Sequence, residues 1–264
     1  TRVLVVSGEV LFGDDDAIVA VKSGDESYLY EGGRASAPGK IRYGDEALPW
    51  TRAYRTPEDA PRFDCFDPGR ESPPGLVLAV PHGEESGAAS LAALAAGRLN
   101  AGLVVARGHR AGGLDVAVDS PTEGGQPSDR AKEAFSQFVD RLREAARTPK
   151  AAIPILVEFR AGGGESIELA TSGLGETLAR DLRDNWSQMC RKAGIEGAPP
   201  MRFDVLDPES KPRDPALKTE GCLAPSVSRT GVAIHLPESV ASDASKYGPL
   251  LADWIQLLCG WANK

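Results

Sequence analysis

The sequence predicts an α/β protein: one mixed or parallel sheet flanked by helices, preceded by a β-rich segment over residues 1–74. Three observations predict it. Residues 76–106 read as strand, polar loop, helix and strand in direct succession. A second strongly apolar strand, Ile153 to Phe159, is followed by further strand and helix patterns in alternation. Short β-like runs broken by turn residues fill the first 74 positions. Strand and helix alternation of this kind argues for a sheet with helices on its faces. A single domain over residues 1–264 is expected, with residues 75–264 as its core.

The elements follow in order. Arg2 to Val6, Ala17 to Val21 and Tyr28 to Tyr30 are short strands, punctuated by Gly24-Asp25, Gly32-Gly33, Pro38-Gly39 and Tyr43-Gly44-Asp45. Asp14-Asp15-Asp16 lacks the spaced acids, the glycine and the distal glutamate of a calcium loop, so it reads as a solvated turn. Pro57 to Pro74 is an irregular lead-in. Leu76 to Val80 has the continuous apolar character of a buried parallel strand, and Pro81 stops it because proline cannot donate to the ladder. Ser86 or Gly87 starts a helix that the Ala/Leu-rich stretch to Leu99 continues, and Leu103 to Ala106 is the next strand.

Ser128 or Asp129 caps a helix whose apolar face carries Ala131, Ala134, Phe135, Phe138, Val139 and Leu142. Ile167 to Thr171 is a strand, and residues 175–193 form an amphipathic helix that Gly194 closes. Phe203 to Leu206 is a short strand within a proline-broken surface stretch. Gly231 to Leu236 is the last strand, and Tyr247 to Trp261 a C-terminal apolar helix. Trp186, Trp254 and Trp261 fall at helical spacing and are expected in the core.

Composition narrows the function. A hydrophobic fraction of 41% with 26% charged residues is that of an ordinary globular protein. The net charge of −8 opposes nucleic-acid binding, which depends on Lys and Arg neutralising phosphates. No stretch reaches the roughly 18 apolar residues of a membrane span. The N-terminus lacks a basic region followed by a long apolar core, so a cytoplasmic protein is expected. Cys65, Cys190, Cys222 and Cys259 form no CxxC or CxxH pair and read as reduced thiols.

The chemistry gathers at predicted strand ends, where ligands of open α/β sheets sit. All three histidines, His82, His109 and His235, lie at or near such ends. His82 and Glu85 have the H-x-x-E spacing on the loop after the central strand, which can direct an imidazole and a carboxylate at one zinc ion. A catalytic zinc needs a third protein ligand and an open position for water. Arg107-Gly108-His109-Arg110 is a candidate anion site. Gly162-Gly163-Gly164 lacks the Lys-Ser/Thr of a phosphate loop, and Ser7 and Ser86 lack a G-x-S-x-G setting.

Over residues 75–260 the chain resembles the N-formylglutamate amidohydrolase family, and more distantly the zinc carboxypeptidase and aspartoacylase-like enzymes. The resemblance rests on Val80-Pro81-His82-Gly83-Glu84-Glu85, on the Leu103 to Arg110 strand with its arginines, and on Ser120 to Gly124 before a long helix. It continues through Leu156 to Arg160, Glu168 to Leu174 and Ala233 to Pro237. It implies a phosphorylase/hydrolase-like (zinc peptidase-like) fold and a zinc-dependent amidohydrolase acting on a small N-acyl amino acid or peptide-like substrate that bears a carboxylate. Three positions depart from the family. Arg160 stands where the third metal-binding histidine is expected, Asp119-Ser120 where an Asn-Arg pair grips the substrate carboxylate, and His235 near the place of a late acid.

Two readings follow. In the first, His82, Glu85 and His235 hold zinc, and Glu84, Glu158 or Glu168 serves as general base. Arg107, His109, Arg110 and Arg160 then face the substrate. In the second, Arg160 takes the place of the metal and pairs with Glu85 or Glu158. The protein then binds an acidic small molecule, a peptide or a protein partner without turnover.

Overall fold

The computed structural model describes residues 2–5, 9–14, 17–22, 25–28, 39–40, 61–66, 75–83, 87–109, 114–118, 128–207 and 216–262. They fall into two compact units, Thr1–Arg55 and Thr56–Lys264. In the smaller unit, β1 (Arg2–Val5) pairs antiparallel with β4 (Asp25–Tyr28), and β4 pairs with β5 (Gly39–Lys40). Strands β2 (Glu9–Asp14) and β3 (Ala17–Lys22) pair antiparallel with Asp14 opposite Ala17, and Asp15 and Asp16 lie outside the described residues. Of the strand predicted over Tyr28 to Tyr30, Tyr28 lies in β4 and residues 29–30 lie outside the described residues, while Glu9–Asp14 is a strand that was not expected.

The larger unit is built on a seven-stranded mixed sheet of order β11-β10-β12-β9-β7-β8-β6. Its strands are β6 (Arg62–Phe66), β7 (Leu76–Val80), β8 (Gly102–Arg107), β9 (Ile153–Ala161), β10 (Ile167–Ser172), β11 (Met201–Phe203) and β12 (Ser228–Leu236). The central run β12-β9-β7-β8 is parallel throughout. Its strands are apolar nearly residue after residue because helices cover both faces. At the flanks, β6 runs antiparallel to β8, and β10 antiparallel to β12. This is the α/β architecture predicted from the sequence.

Among the described residues the helices are α1 (Ala88–Leu99), α2 (Asp129–Ala145), α3 (Glu176–Lys192), α4 (Ala216–Thr219), α5 (Glu238–Ala241) and α6 (Ala244–Ala262). Helix α2 lays Ala131, Ala134, Phe138, Val139 and Leu142 against Val77, Ala79, Val104, Ala106, Leu156 and Ala233. Each fully buried side chain of the size of Leu142 or Phe138 contributes about 1.5–3 kcal/mol. Helix α6 contacts both α1 and α3, and the three serve the opposite face. There the indole of Trp254 donates to the Leu182 carbonyl at 3.1 Å, and that of Trp186 to Pro199 at 2.9 Å. Gly87 opens α1 at φ +81, where a Cβ would run into the Ala241 carbonyl. Among the described residues, no helix is long and apolar enough to cross a membrane.

The cap of α2 is the predicted Ser128, whose hydroxyl accepts from the Ala131 N–H at 3.1 Å. Ser128→Ala is expected to cost about 1 kcal/mol, read as a lowered urea midpoint at unchanged slope.

Three expectations are corrected. The lead-in over 57–74 contains β6, an edge strand held by a single neighbour. The strand expected over Phe203 to Leu206 is Met201–Phe203, and the chain turns at Asp204. There the carboxylate accepts from the Thr171 N–H and hydroxyl and pairs with Lys218. Trp261 is 44% exposed, near the end of α6, while Trp186 and Trp254 are fully buried.

Candidate functional site

At the carboxyl ends of the central strands four polar side chains meet in sequence. Strand β7 ends at Val80, and Pro81 turns the chain so that His82 leaves the sheet. Its Nε2 lies 3.3 Å from Oδ1 of Asp115, on the Leu114–Val118 segment that follows β8. The other oxygen of Asp115 accepts from Nη1 of Arg160 at 3.5 Å. Nε of Arg160 donates to Glu158 Oε2 at 3.1 Å, and the buried Cys222 thiol lies beside the same carboxyl. Glu158 and Arg160 share a face of β9 because side chains alternate along a strand. His82 keeps 12% of its side chain exposed, whereas Glu158 keeps none.

His235, the penultimate residue of β12, is registered opposite Arg160 on one side and Glu168 on the other. Residues directly opposite in a ladder point to the same face, which places all three on the face that carries Glu158.

Burial drives the Asp115 carboxyl up, but the hydrogen bond from His82, the charges of Arg160 and His82 and the Ala117 N–H outweigh it. They hold the group well below the usual carboxylate range. Burial of Glu158 has the opposite outcome: it outweighs the Arg160 guanidinium and raises the carboxyl. The Cys222 thiol is pushed well up by its own burial and then by Glu158.

A depressed carboxyl contributes stability above its unfolded value of about 3.9, and that contribution is lost as pH falls toward the folded value. Raised Glu158 works in the other direction, favouring the fold when protonated. Asp115→Asn is therefore expected to flatten the loss of stability below about pH 4, measured by urea unfolding at stepped pH. An unchanged acid limb would exclude Asp115 as its source.

Beside this row lies a second buried pair. Nε of Arg107, the last residue of β8, donates to Asp64 Oδ2 at 2.9 Å, and Nη1 donates to the Gly83 carbonyl at 3.0 Å. Arg62 also reaches Asp64, at 3.4 Å. The ring of His109 stacks on Phe63 of β6, with centroids 4.5 Å apart.

The predicted site residues thus divide. His82 and Arg160 are joined through Asp115, Glu158 is joined to them through Arg160, and His235 adjoins Arg160 in register. Arg107 and His109 lie over β6. Glu84, Glu85 and Arg110 lie outside the described residues. Among the described residues, no group of three or more His, Cys, Asp and Glu is placed to hold a metal ion. Arg160 pairs with Glu158, as the second sequence reading expected. Asp115 and Asp64 were missed. Each carried one local signal, a lone carboxylate within an apolar stretch, Leu114-Asp115-Val116 and Phe63-Asp64-Cys65.

No family model matches the chain, and no curated protein matches it. Among solved structures, a gene product of Agrobacterium tumefaciens is 15% identical, covering 76% of this chain and 92% of that one, with a TM-score of 0.43. A bacteriophage poly-gamma-glutamate hydrolase is 13% identical, covering 84% of this chain and 100% of the other, also at 0.43. The zinc-free apo form of YndL is 11% identical, covering 83% and 98%, at 0.40.

Proposed function

We propose that this chain is a zinc-dependent amidohydrolase that cleaves an amide bond in a small N-acyl amino acid or peptide-like substrate. The observation that carries the reading is the His82–Asp115 contact at the carboxyl end of β7, the first residue of the H-x-x-E motif held by a buried carboxylate. Metal-binding histidines are oriented in this way by a carboxylate behind the ring.

The residues fit the metal in chemistry. Zinc takes nitrogen and oxygen donors, and His82, Glu85 and His235 would supply them. A guanidinium close to a divalent cation is repulsive in a low-dielectric site. Here Asp115 and Glu158 both face Arg160 and compensate its charge. When bound, zinc lowers the pKa of a water and polarises the amide carbonyl.

The chain's own residues do the rest. Asp115 fixes the His82 ring. Glu84, next to Glu85 in the sequence, takes the proton of the attacking water as general base. Glu158 has no exposed surface, so its work is to hold Arg160 in place rather than to exchange protons with substrate. Arg160 and Arg110 attract the substrate carboxylate, with bidentate geometry that suits a guanidinium.

One observation favours a second reading. Arg160 occupies the place of the third metal-binding histidine of the resembled family and is gripped by two carboxylates. On that reading the site binds an acidic small molecule or peptide without turning it over, and a protein partner is the larger version of the same ligand.

The test is zinc content. Purified protein supplied with zinc and dialysed is expected to retain about one ion per chain and to hydrolyse members of a panel of N-acyl amino acids. Protein that retains none overturns the metal reading, and calorimetry with acidic peptides then tests the second.

A further inference from the structure

Asp64 and Arg107 make a buried ion pair, with side chains 1% and 7% exposed. Stability alone is a poor reason for it, since desolvation often cancels the attraction of a buried pair and an apolar pair serves as well. What distinguishes this pair is where its third contact goes. Arg107 spans from Asp64 on the edge strand β6 to the Gly83 carbonyl, one residue beyond His82.

We infer that Asp64 and Arg107 are positioning residues: they strap the His82 loop to the end of β8, and so set where the histidine meets its ligand. The inference rests on the proposed function in taking His82 as the metal-binding residue.

Both polar groups of Gly83 are tied to β8. Its N–H donates to the Ala106 carbonyl at 2.7 Å while its own carbonyl accepts from Arg107. The backbone lies so close that a Cβ on Gly83 would stand 2.6 Å from both the Ala106 oxygen and Val105 Cγ1. On the other side of His82, the ring of Pro81 fixes φ. His82 is thereby held between two restrained neighbours.

The planar fork of arginine suits the span, with Nε on a carboxylate and Nη1 on a carbonyl.

The experiment compares wild type with Asp64→Asn and with the double variant Asp64→Leu/Arg107→Met, in the full chain. The double variant removes both charges of the buried pair together, and the Arg62 guanidinium that also reaches Asp64 is partly exposed to water, so folding is protected. Asp253→Asn, which breaks the exposed Arg98–Asp253 pair, is the control for ordinary loss of a salt bridge.

Two quantities are read: hydrogen exchange at the Gly83 amide, and zinc affinity by chelator competition. In the strap variants Gly83 exchange is expected to rise at least about tenfold, and zinc affinity to fall about 10–100-fold. The control should move neither. Unchanged Gly83 protection in the double variant overturns the strap. Lost protection with full zinc affinity overturns the positioning role. If wild type retains no zinc while the variants still lose Gly83 protection, the proposed function fails and the strap on the loop stands.

Discussion

His82→Ala is expected to lose zinc and amide hydrolysis together, with turnover reduced by more than about 100-fold. The substitution removes the candidate ligand held at both backbone and ring: Pro81 and Gly83 restrain its backbone, and Asp115 meets its ring at 3.3 Å. A surface histidine beside a motif would give a different result, with zinc content and turnover both retained. Mass spectrometry of the metal in wild type and variant, prepared side by side, decides between them. Zinc retained at the wild-type level by the variant would remove His82 from the site, and with it the assignment of Glu85 and His235 as fellow ligands. The fold itself should survive, because His82 lies outside the strand and contributes no core surface.

Glu158→Leu is expected to carry the largest stability cost in the molecule, about 3–5 kcal/mol. The carboxyl is fully buried and faces the Nε of Arg160 at 3.1 Å. Its removal leaves a guanidinium that is itself 6% exposed, with Asp115 at 3.5 Å as the remaining carboxylate. Against a total stability of about 5–15 kcal/mol for a typical domain, such a loss is a substantial share. The double variant Glu158→Leu/Arg160→Met removes the stranded charge and should recover most of the loss. Guanidinium chloride unfolding reads both. A single-variant cost below about 1 kcal/mol would mean that the pair is not stabilised as a pair.

What the sequence disclosed follows from how each element is held. Strands β7, β8, β9 and β12 are the centre of the sheet, covered on both faces, so each carries an apolar run that announces it: Leu76 to Val80, Leu103 to Ala106, Ile153 to Val157 and Val232 to Ile234. Strands β6 and β11 each have one neighbour and mix charge with apolar residues. Arg62-Phe63-Asp64 reads locally as loop and becomes strand only because β8 offers it a ladder. The histidines at strand ends were visible because the chain has three and all fall after or within apolar runs. Asp115 and Asp64 were not, because their meaning lies in a distant partner. Asp115 meets Arg160 from 45 positions away, and Asp64 meets Arg107 from 43. Trp261 obeys the helical spacing of α6 yet lies near the end of that helix, where it is largely exposed.

The parallel centre of the sheet has a consequence for how the chain is made. Leu76 is opposite Ile155, and Ile153 is opposite Ser228, so each step across the middle waits for a stretch synthesised much later. Strands β7 and β8 with α1 can close as a local unit. Once β9 adds to them, its outer edge is an apolar ladder with open N–H and C=O groups until β12 leaves the ribosome. Long-range pairing of this kind is slow, and an open apolar edge invites pairing with other chains. Nascent chains stalled between residues 161 and 228 should therefore be the species most dependent on chaperones, and the last strand of the sheet the one that ends that dependence.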